Sequence, residues 1–268
     1  MDMKETGDPR EYEAFIREID DSRYAIDKDM VPRGVIPKRR GMSLSKSLAM
    51  EGVFPFPNFA PRILASLVAS STAACTSGVV TVTATAHGIP ATLFDGYEFY
   101  YPGSPTLAAG WYSGFARASA DAVTFSAPNA ADFTSESVNA AAIVTAEVTY
   151  YSIDLPGNTI KVGDIVSVRA FRTGDALATQ KIVRLRFATA NIAQHNVFTS
   201  SMNGVVTMAF AASKNGQQDG FSGIEGTLSA SRQSSNADLS VTNVLSVTGQ
   251  LTAAGQYVAF SSAKIRIE

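Results

Sequence analysis

The chain has 268 residues, of which 46% are hydrophobic, so it can bury a sizeable core and does not have the composition of a disordered protein. Its formal net charge of −2 provides no overall field to attract nucleic acid or an anionic membrane, and we expect neither as a partner. One cysteine and two histidines exclude an intrachain disulfide framework and argue against a structural zinc site.

Charge is distributed unevenly along the sequence. The stretch that ends at Arg62 holds 11 basic and 11 acidic residues, whereas Arg117 is the only lysine or arginine from Ile63 to Ala146. Such a shift in composition indicates a boundary near Pro61. The sequence therefore predicts three domains: an N-terminal anchoring arm over 1–61, a small β module over 62–146 and a β-sandwich over 147–268.

A short amphipathic helix is predicted near the start of the arm. Asp8 fits an N-cap, Pro9 the first helical position, and Glu11 follows the cap by three residues, as in a capping box. Four apolar residues then share one face at helical spacing: Tyr12, Phe15, Ile16 and Ile19. Because so short a helix is marginal in water by itself, this face must pack against another surface.

The rest of the arm is predicted to be extended, apart from a possible second helix over 43–50, because prolines and glycines interrupt it. Three aromatic residues spaced by prolines lie near its end: Phe54, Phe56 and Phe59. Exposed together they would form a costly patch on a monomer, so we interpret the arm as an assembly interface with a neighbouring protein. The alternative is a frayed, partly disordered tail. The basic run 38–40 could contact phosphate, but in a balanced arm it more often forms salt bridges or faces water.

Short strands are predicted in the β module, at Val79–Thr85, Tyr97–Tyr101, Trp111–Ala116 and Val123–Ser126, which suggests a small barrel or sandwich. The run from Ile63 to Phe94 has no Asp, Glu, Lys or Arg and is long enough to span a bilayer. Its dense serines and threonines and its alternating pattern favour strands in water instead.

About eight strands are predicted after Ala146. Val183, Leu185 and Phe187 alternate with Arg184 and Arg186, so one face of that strand is apolar and the other charged. The other strands are predicted at 148–153, 165–172, 206–210, 224–229, 239–247 and 256–267. This number of strands is typical of a jelly roll or a related Greek-key sandwich, and long helical patterns between strands are absent. The fold class is therefore all-β after an extended arm with one or two short helices.

Two segments resemble parts of bacteriophage structural proteins. The run 79–89, followed by Gly110-Trp111-Tyr112 and 121–125, resembles a small β module of phage virion proteins, in which a strand leads into a His-Gly turn. The run 155–171, followed by 181–187, is similar to the trimeric sandwich heads of phage fibres and decoration proteins. The resemblance covers about residues 73–268. It implies a structural protein of the virion, a homotrimer, and no cofactor.

Candidate catalytic residues are sparse, and we expect no enzyme. No Gly-x-Ser-x-Gly elbow and no nucleotide-binding glycine motif occur. His195 is predicted to be a hydrogen-bonded loop histidine, His87 to satisfy backbone groups of its turn, and Cys75 to be a small apolar filler. Acidic pairs such as Asp95 with Glu98, or Asp219 with Glu225, could hydrolyse glycans only if the fold placed them across a cleft.

The sequence thus favours a non-catalytic virion protein, a capsid-decoration or head-fibre protein held to capsid, portal, neck or tail proteins by its arm. Arg184 and Arg186 suit either a polar interface with a sister subunit or a solvated face. A tail or collar appendage built from the same parts stays open. So does a carbohydrate-binding receptor module, in which Trp111 and Tyr112 would form a stacking platform for sugar rings.

Overall fold

The chain is described from a computed structural model. The structure describes residues 53–56, 59–68, 70–91, 93–139, 146–175, 179–197, 204–224 and 227–268. The predicted helical face of Tyr12, Phe15, Ile16 and Ile19 lies outside these residues, as does the possible helix over 43–50. Two compact units divide the chain: Met1–Phe54 with Arg266–Glu268, and Pro55–Ile265. In the described part of the first unit, Arg266 Nε and Glu268 Oε1 form an ion pair of 2.5 Å.

The described part of the chain is all-β, with eighteen strands and no helix. The strands in chain order are β1 (Val53–Pro55), β2 (Arg62–Ala65), β3 (Thr72–Thr76), β4 (Val79–Thr83), β5 (Glu98–Tyr101), β6 (Gly110–Tyr112), β7 (Ala116–Ser119), β8 (Ala122–Ser126), β9 (Phe133–Ser137), β10 (Val148–Leu155), β11 (Ile165–Gly174), β12 (Lys181–Phe187), β13 (Ala190–Val197), β14 (Gly204–Lys214), β15 (Gln217–Ile224), β16 (Thr227–Ser235), β17 (Asn243–Leu251) and β18 (Tyr257–Ile267).

Three sheets organise these strands. The largest has nine strands in the order β16-β15-β14-β11-β18-β2-β5-β6, with β1 as the ninth, paired to β18. A four-stranded sheet has the order β10-β17-β12-β13, and a five-stranded sheet the order β7-β8-β4-β3-β9. The one parallel pair with a described register is β2 with β5; the others are antiparallel.

The nine-stranded and four-stranded sheets pack face to face as a sandwich. Alternation in β11 buries Val166 and Val168, as the two-residue period of a half-buried strand requires. Aromatic rings cross the layer between the sheets: Phe187 lies 4.9 Å from Phe210, and Tyr150 meets Phe260 edge-on at 4.7 Å. The interior is therefore formed by inward rows from both sheets.

A second core lies where the five-stranded sheet meets β2 and β5. Val80 and Val82 of β4 are fully buried, and the ring of Phe125 lies 5.7 Å from that of Phe99 on β5. Cys75 is buried in this cluster and has no disulfide partner, as expected for an apolar filler.

Strands from both sides of Ala146 share the nine-stranded sheet, because β2, β5 and β6 lie in it with β11, β14, β15, β16 and β18. All of them except the end of β18 belong to the unit Pro55–Ile265. The predicted boundaries at 61 and 146 stay predictions.

Most predicted strands are present, and three interpretations are wrong. The predicted strand Trp111–Ala116 is not one element, because β6 ends at Tyr112 in the nine-stranded sheet and β7 begins at Ala116 in the five-stranded sheet. A strand over 224–229 does not exist as one element, because β15 ends at Ile224 and pairs there with Thr227, the first residue of β16. His195 does not lie in a loop but within β13. Within the residues that the structure describes, no helix is long and apolar enough to cross a membrane.

Candidate functional site

The end of the predicted arm packs against the β body through three aromatic rings, which we call the aromatic clamp: Phe56, Phe59 and Tyr151. Tyr151 stacks on Phe56 at 5.5 Å and on Phe59 at 5.0 Å, and its hydroxyl donates a 2.8 Å hydrogen bond to the Ala60 carbonyl. Phe56 is 1% exposed. The Phe56 ring is therefore packed within this chain and cannot contact a neighbouring protein. The Phe54 side chain lies outside the described part of the structure.

The proposed glycan platform is also engaged in packing. Trp111 is half-buried, its ring lies 5.3 Å from Tyr100 and 5.1 Å from Tyr150, and its Nε1 donates to the Thr149 carbonyl at 3.0 Å. Tyr112 packs against the five-stranded sheet. Neither ring stands free as a sugar-stacking surface usually does.

Arg62 connects the aromatic clamp to Trp111. Its guanidinium lies 5.0 Å from the Trp111 ring centre and 5.2 Å from that of Tyr151, distances typical of cation–π contacts. Its Nε forms a 2.6 Å ion pair with Glu98, and its Nη1 hydrogen bonds to the Tyr150 carbonyl. Burial raises the pKa of Tyr151, and the charge of Arg62 opposes that rise. Arg62 therefore has structural partners on every side.

The predicted charged face of β12 exists, and its arginines form ion pairs and hydrogen bonds with other residues of the same chain. Arg184 and Arg186 both reach Oε2 of Glu147, at 3.1 and 3.0 Å, and Arg184 also donates to the side-chain oxygens of Gln194 and Gln250. These contacts order the outer face of the four-stranded sheet. Whether a sister subunit covers this face stays a prediction.

An apolar pair is exposed on the outer face of the nine-stranded sheet. Ile165 and Phe171 on β11 are 40% and 42% exposed, and the residues paired with them on β14 are Ala211 and Val205. The two lie six residues apart on the strand with the exposed Arg169 between them, so they are separate apolar positions and not one continuous patch. The sequence interpretation missed this pair.

A basic pair occupies the interior of the sandwich. Arg172 is 3% exposed and continues the inward row of β11, and His195 is 5% exposed on β13. Both ring nitrogens of His195 and the Nε and Nη1 atoms of Arg172 have no hydrogen-bond partner among the residues that the structure describes. The hydrogen-bonded loop histidine expected from the sequence is thus contradicted. The two-residue period through Val166 and Val168 could have shown that Arg172 points inward.

Burial lowers the pKa of both members of this pair. Desolvation, followed by the nearby charge of Arg172, lowers the pKa of His195 from 6.5 to about 4, so the imidazole is neutral at neutral pH. Desolvation also lowers the pKa of Arg172 to about 10, which leaves the guanidinium charged.

A second buried charge lies close by and is paired. Lys181, 0% exposed, forms a 2.9 Å ion pair with Asp175 and also donates to the Thr179 carbonyl. The other oxygen of Asp175 accepts the Tyr257 backbone N–H at 2.7 Å. The carboxylate of Asp175 is thus already engaged.

The remaining histidine has a structural role, as expected. The Nδ1 of His87 accepts the Ile89 N–H at 3.1 Å, and its Nε2 lies 3.2 Å from the Ser119 carbonyl. Gly88 follows with a φ of +75°, and a Cβ there would lie 2.4 Å from the Gly255 carbonyl oxygen. This turn requires glycine for both reasons.

One member of each acidic pair considered for glycan hydrolysis forms a contact within the chain. Glu98 is ion-paired with Arg62, Asp95 is exposed, and Asp219 accepts from Ser213 Oγ at 2.8 Å, while Glu225 lies outside the described residues. The described part of the chain has no group of three or more His, Cys, Asp or Glu residues placed to hold a metal ion.

Comparison with known proteins leaves the family open. No family model matches the chain, and no curated protein matches it. Among solved structures, a functionally unknown protein from Saccharomyces cerevisiae matches at 9% identity and a TM-score of 0.27, over 82% of this chain and 97% of that one. An alginate lyase of polysaccharide lyase family 7 matches at 6% identity and a TM-score of 0.25, over 71% and 79%. Likenesses this weak carry no argument about function.

Proposed function

We propose that this chain is a non-catalytic structural protein of a bacteriophage particle, a capsid-decoration or head-fibre protein located in the virion. In this proposal residues 1–61 attach it to other virion proteins, the nine- and four-stranded sheets form a jelly-roll-like sandwich, and the five-stranded sheet belongs to the small β module. A tail or collar appendage is the neighbouring possibility.

The observation that carries the proposal is the aromatic clamp. Phe56 and Phe59 stack on Tyr151, and Ala60 is hydrogen bonded to the same side chain. A pulling force on the residues before Phe56 would therefore act on a buried part of the sandwich and not on a flexible linker. An attachment arm needs such a fixed point, because ordering a flexible linker on binding costs conformational entropy.

The charge pattern supports the same role. The 22 charged residues up to Arg62 are balanced between signs, which suits a polar interface and gives little net attraction to nucleic acid. The predicted apolar face of Tyr12, Phe15, Ile16 and Ile19 would supply the buried centre of that interface.

The proposed homotrimer would use the outer face of the nine-stranded sheet. Phe171 and Ile165 project from it, with small residues of β14 beside them. Contact with a second copy would bury both side chains. We expect Phe171→Glu to lower the oligomeric state measured by light scattering, and Val244→Glu, at an equally exposed position on the four-stranded sheet, to leave it unchanged.

Deletion of residues 1–54 tests the attachment. This truncation keeps the whole aromatic clamp, so we expect a folded β body that no longer joins particles when it is supplied to the phage whose genome encodes the chain. A full-length Tyr12→Ala/Phe15→Ala variant should show a weaker form of the same loss.

The outcome that would remove the proposal is normal incorporation of the folded truncation. Copy number per particle would separate the two locations, because decoration implies hundreds of chains, whereas a collar or tail ring implies tens or fewer. Normal incorporation combined with a monomeric body would contradict both the attachment and the trimer.

A further inference from the structure

Four nitrogen atoms lie buried inside the sandwich with no hydrogen-bond partner in the described part of the chain. They are Nε and Nη1 of Arg172 and both ring nitrogens of His195. Arg172 and His195 are 3% and 5% exposed. Buried polar groups in proteins are nearly always hydrogen bonded, and a cluster of exceptions calls for a specific explanation.

The two side chains come from the facing sheets. Arg172 follows Val168 and Ala170 in the inward row of β11, on the nine-stranded sheet. His195 pairs with the fully buried Val183 on the four-stranded sheet, so it shares the inward face of that sheet. Both side chains therefore face the layer between the sheets, and the charge of Arg172 contributes to the lowered pKa of His195.

Nothing in the described surroundings neutralises the guanidinium. The carboxylate of Asp175 is held by Lys181 and by the Tyr257 N–H. Lys181 and Asp175 therefore neutralise each other, and neither offsets the charge of Arg172. A buried cation without a counter-ion is costly, and a bound anion would remove that cost.

We propose that Arg172 and His195 form a binding site for a small oxyanion, either a carboxylate or a phosphate. The guanidinium donates to the anion through its unpartnered N–H groups, and the neutral imidazole donates through the one nitrogen that carries a proton. Arginine suits this task because its donors are planar and its charge is permanent. The site is independent of the proposed virion role, since it uses no residue of the arm.

Both members of the pair lie close to the ends of their strands. Arg172 lies two residues before the end of β11 at Gly174, and its pairing partner is Gly204, the first residue of β14. His195 lies two residues before the end of β13 at Val197, which pairs with Lys181 at the start of β12. Four strand ends therefore surround one end of the sandwich interior.

Histidine ring NMR of the full-length chain tests the site, because the protein has two histidines with opposite environments. His87 has partners on both ring nitrogens, whereas His195 has none. The probes are sodium phosphate and, separately, sodium acetate, with ionic strength held constant by sodium chloride. We expect one of them to shift the His195 signal along a saturating curve while the His87 signal stays in place, and His195→Gln assigns the signals.

Arg172→Met should weaken this binding at least about tenfold, because a charge-assisted contact is lost. The matched control is Arg169→Met, on the exposed outer face of the same strand, which should bind as the unmodified chain does. An unmoved His87 signal shows that each variant is folded. If the site binds phosphate more tightly than acetate, the ligand class is phosphate. Tighter binding of acetate would assign a carboxylate.

Three results would overturn the proposal. The first is a His195 signal that neither anion moves, which would leave ordered water as the partner. The second is an equal shift in Arg172→Met. The third is a shift that follows protein concentration instead of anion concentration, which would assign the pair to a second copy. Should Arg172→Met fail to fold, the melting temperature of the unmodified chain decides: an anion-specific rise at constant ionic strength supports the site, and a flat profile opposes it.

Discussion

The hydroxyl of Tyr150 donates a 2.7 Å hydrogen bond to the carbonyl of Val258. This bond joins β10 of the four-stranded sheet to β18 of the nine-stranded sheet, 108 residues later in the chain. The side chain is fully buried, and desolvation holds its pKa well above its ordinary value, so the phenol is a hydrogen-bond donor at neutral pH.

Tyr150→Phe should lower the free energy of unfolding by about 1–2 kcal/mol, because it removes one buried inter-sheet bond and leaves the carbonyl short of a partner. Guanidinium denaturation measures the loss. Tyr112→Phe is the control, since its hydroxyl bonds to the nearby Ala108 carbonyl in an exposed position, and we expect a loss below about 0.5 kcal/mol. Equal losses in the two variants would contradict an inter-sheet role.

Gly249→Ala should destabilise the same region by about 1–3 kcal/mol, because it overpacks the core. A Cβ at Gly249 would lie 2.5 Å from Cε2 of Tyr150, whose ring is held at its hydroxyl by Val258 and cannot shift freely. Gly110→Ala is the matched strand control, with its nearest neighbour at 3.8 Å. We expect the control to be neutral or slightly stabilising, as judged by denaturation midpoints.

Trp111→Ala tests packing against sugar binding. We expect a loss of about 2–3 kcal/mol, because the variant removes ring contacts with Arg62 and Tyr150 and the hydrogen bond to Thr149. Leu93→Ala, at a 54% exposed position, should lose far less. A glycan array run beside the denaturation series distinguishes the roles: unchanged stability with a lost glycan signal would restore the stacking platform.

Period-two alternation made much of the fold predictable. The pattern of Val183, Leu185 and Phe187 gave β12 its buried face, and Val79–Thr83 became β4. Local pattern does not show which strands pair, however. It did not reveal that β2 lies between β18 and β5, or that β15 and β16 form a hairpin at Ile224 and Thr227, because non-local pairing depends on the whole core.

The basic pair was missed for a related reason. Residue type led the sequence interpretation to place His195 in a polar loop, and it gave no reason to expect a buried Arg172, since fully buried arginine is uncommon. Alternation through Val168 already placed position 172 inward, and the structure follows alternation. The aromatic clamp depends on Tyr151, which lies 92 residues after Phe59, and nothing local to either position connects them.

Stability should fall as the pH drops from about 6.5 to about 4, in part because His195 stays neutral in the fold. Its pKa is about 4 in the folded chain against 6.5 ordinarily, so over that interval the unfolded chain binds the proton more readily. The contribution is complete above pH 6.5, and about 3 kcal/mol of it is lost by pH 4. The contribution of His195 is the difference between two unfolding free energies, that of the unmodified chain and that of His195→Phe, measured across this pH range.

The pH dependence of the unfolding free energy that remains in His195→Phe comes from other titrating groups. Burial also lowers the pKa of His87, so that residue contributes with the same sign, and carboxylates add to it near the acidic end. We therefore expect a shallower pH dependence in the variant, not a flat one. Parallel curves for the two proteins would mean that His195 can take up a proton while the chain stays folded.

Lys181→Met should be among the most destabilising single changes, by about 3–5 kcal/mol, because it leaves the buried carboxylate of Asp175 without its cation. The partner is 8% exposed and Lys181 is 0% exposed, so water cannot replace the lost charge. Lys181→Met combined with Asp175→Asn should recover part of the loss, since the amide oxygen can still accept the Tyr257 N–H. Arg266→Met, which breaks the exposed pair with Glu268, should change stability by less than about 1 kcal/mol. A double-mutant cycle with no coupling between Lys181 and Asp175 would show that the ion pair does not stabilise this end of the sandwich.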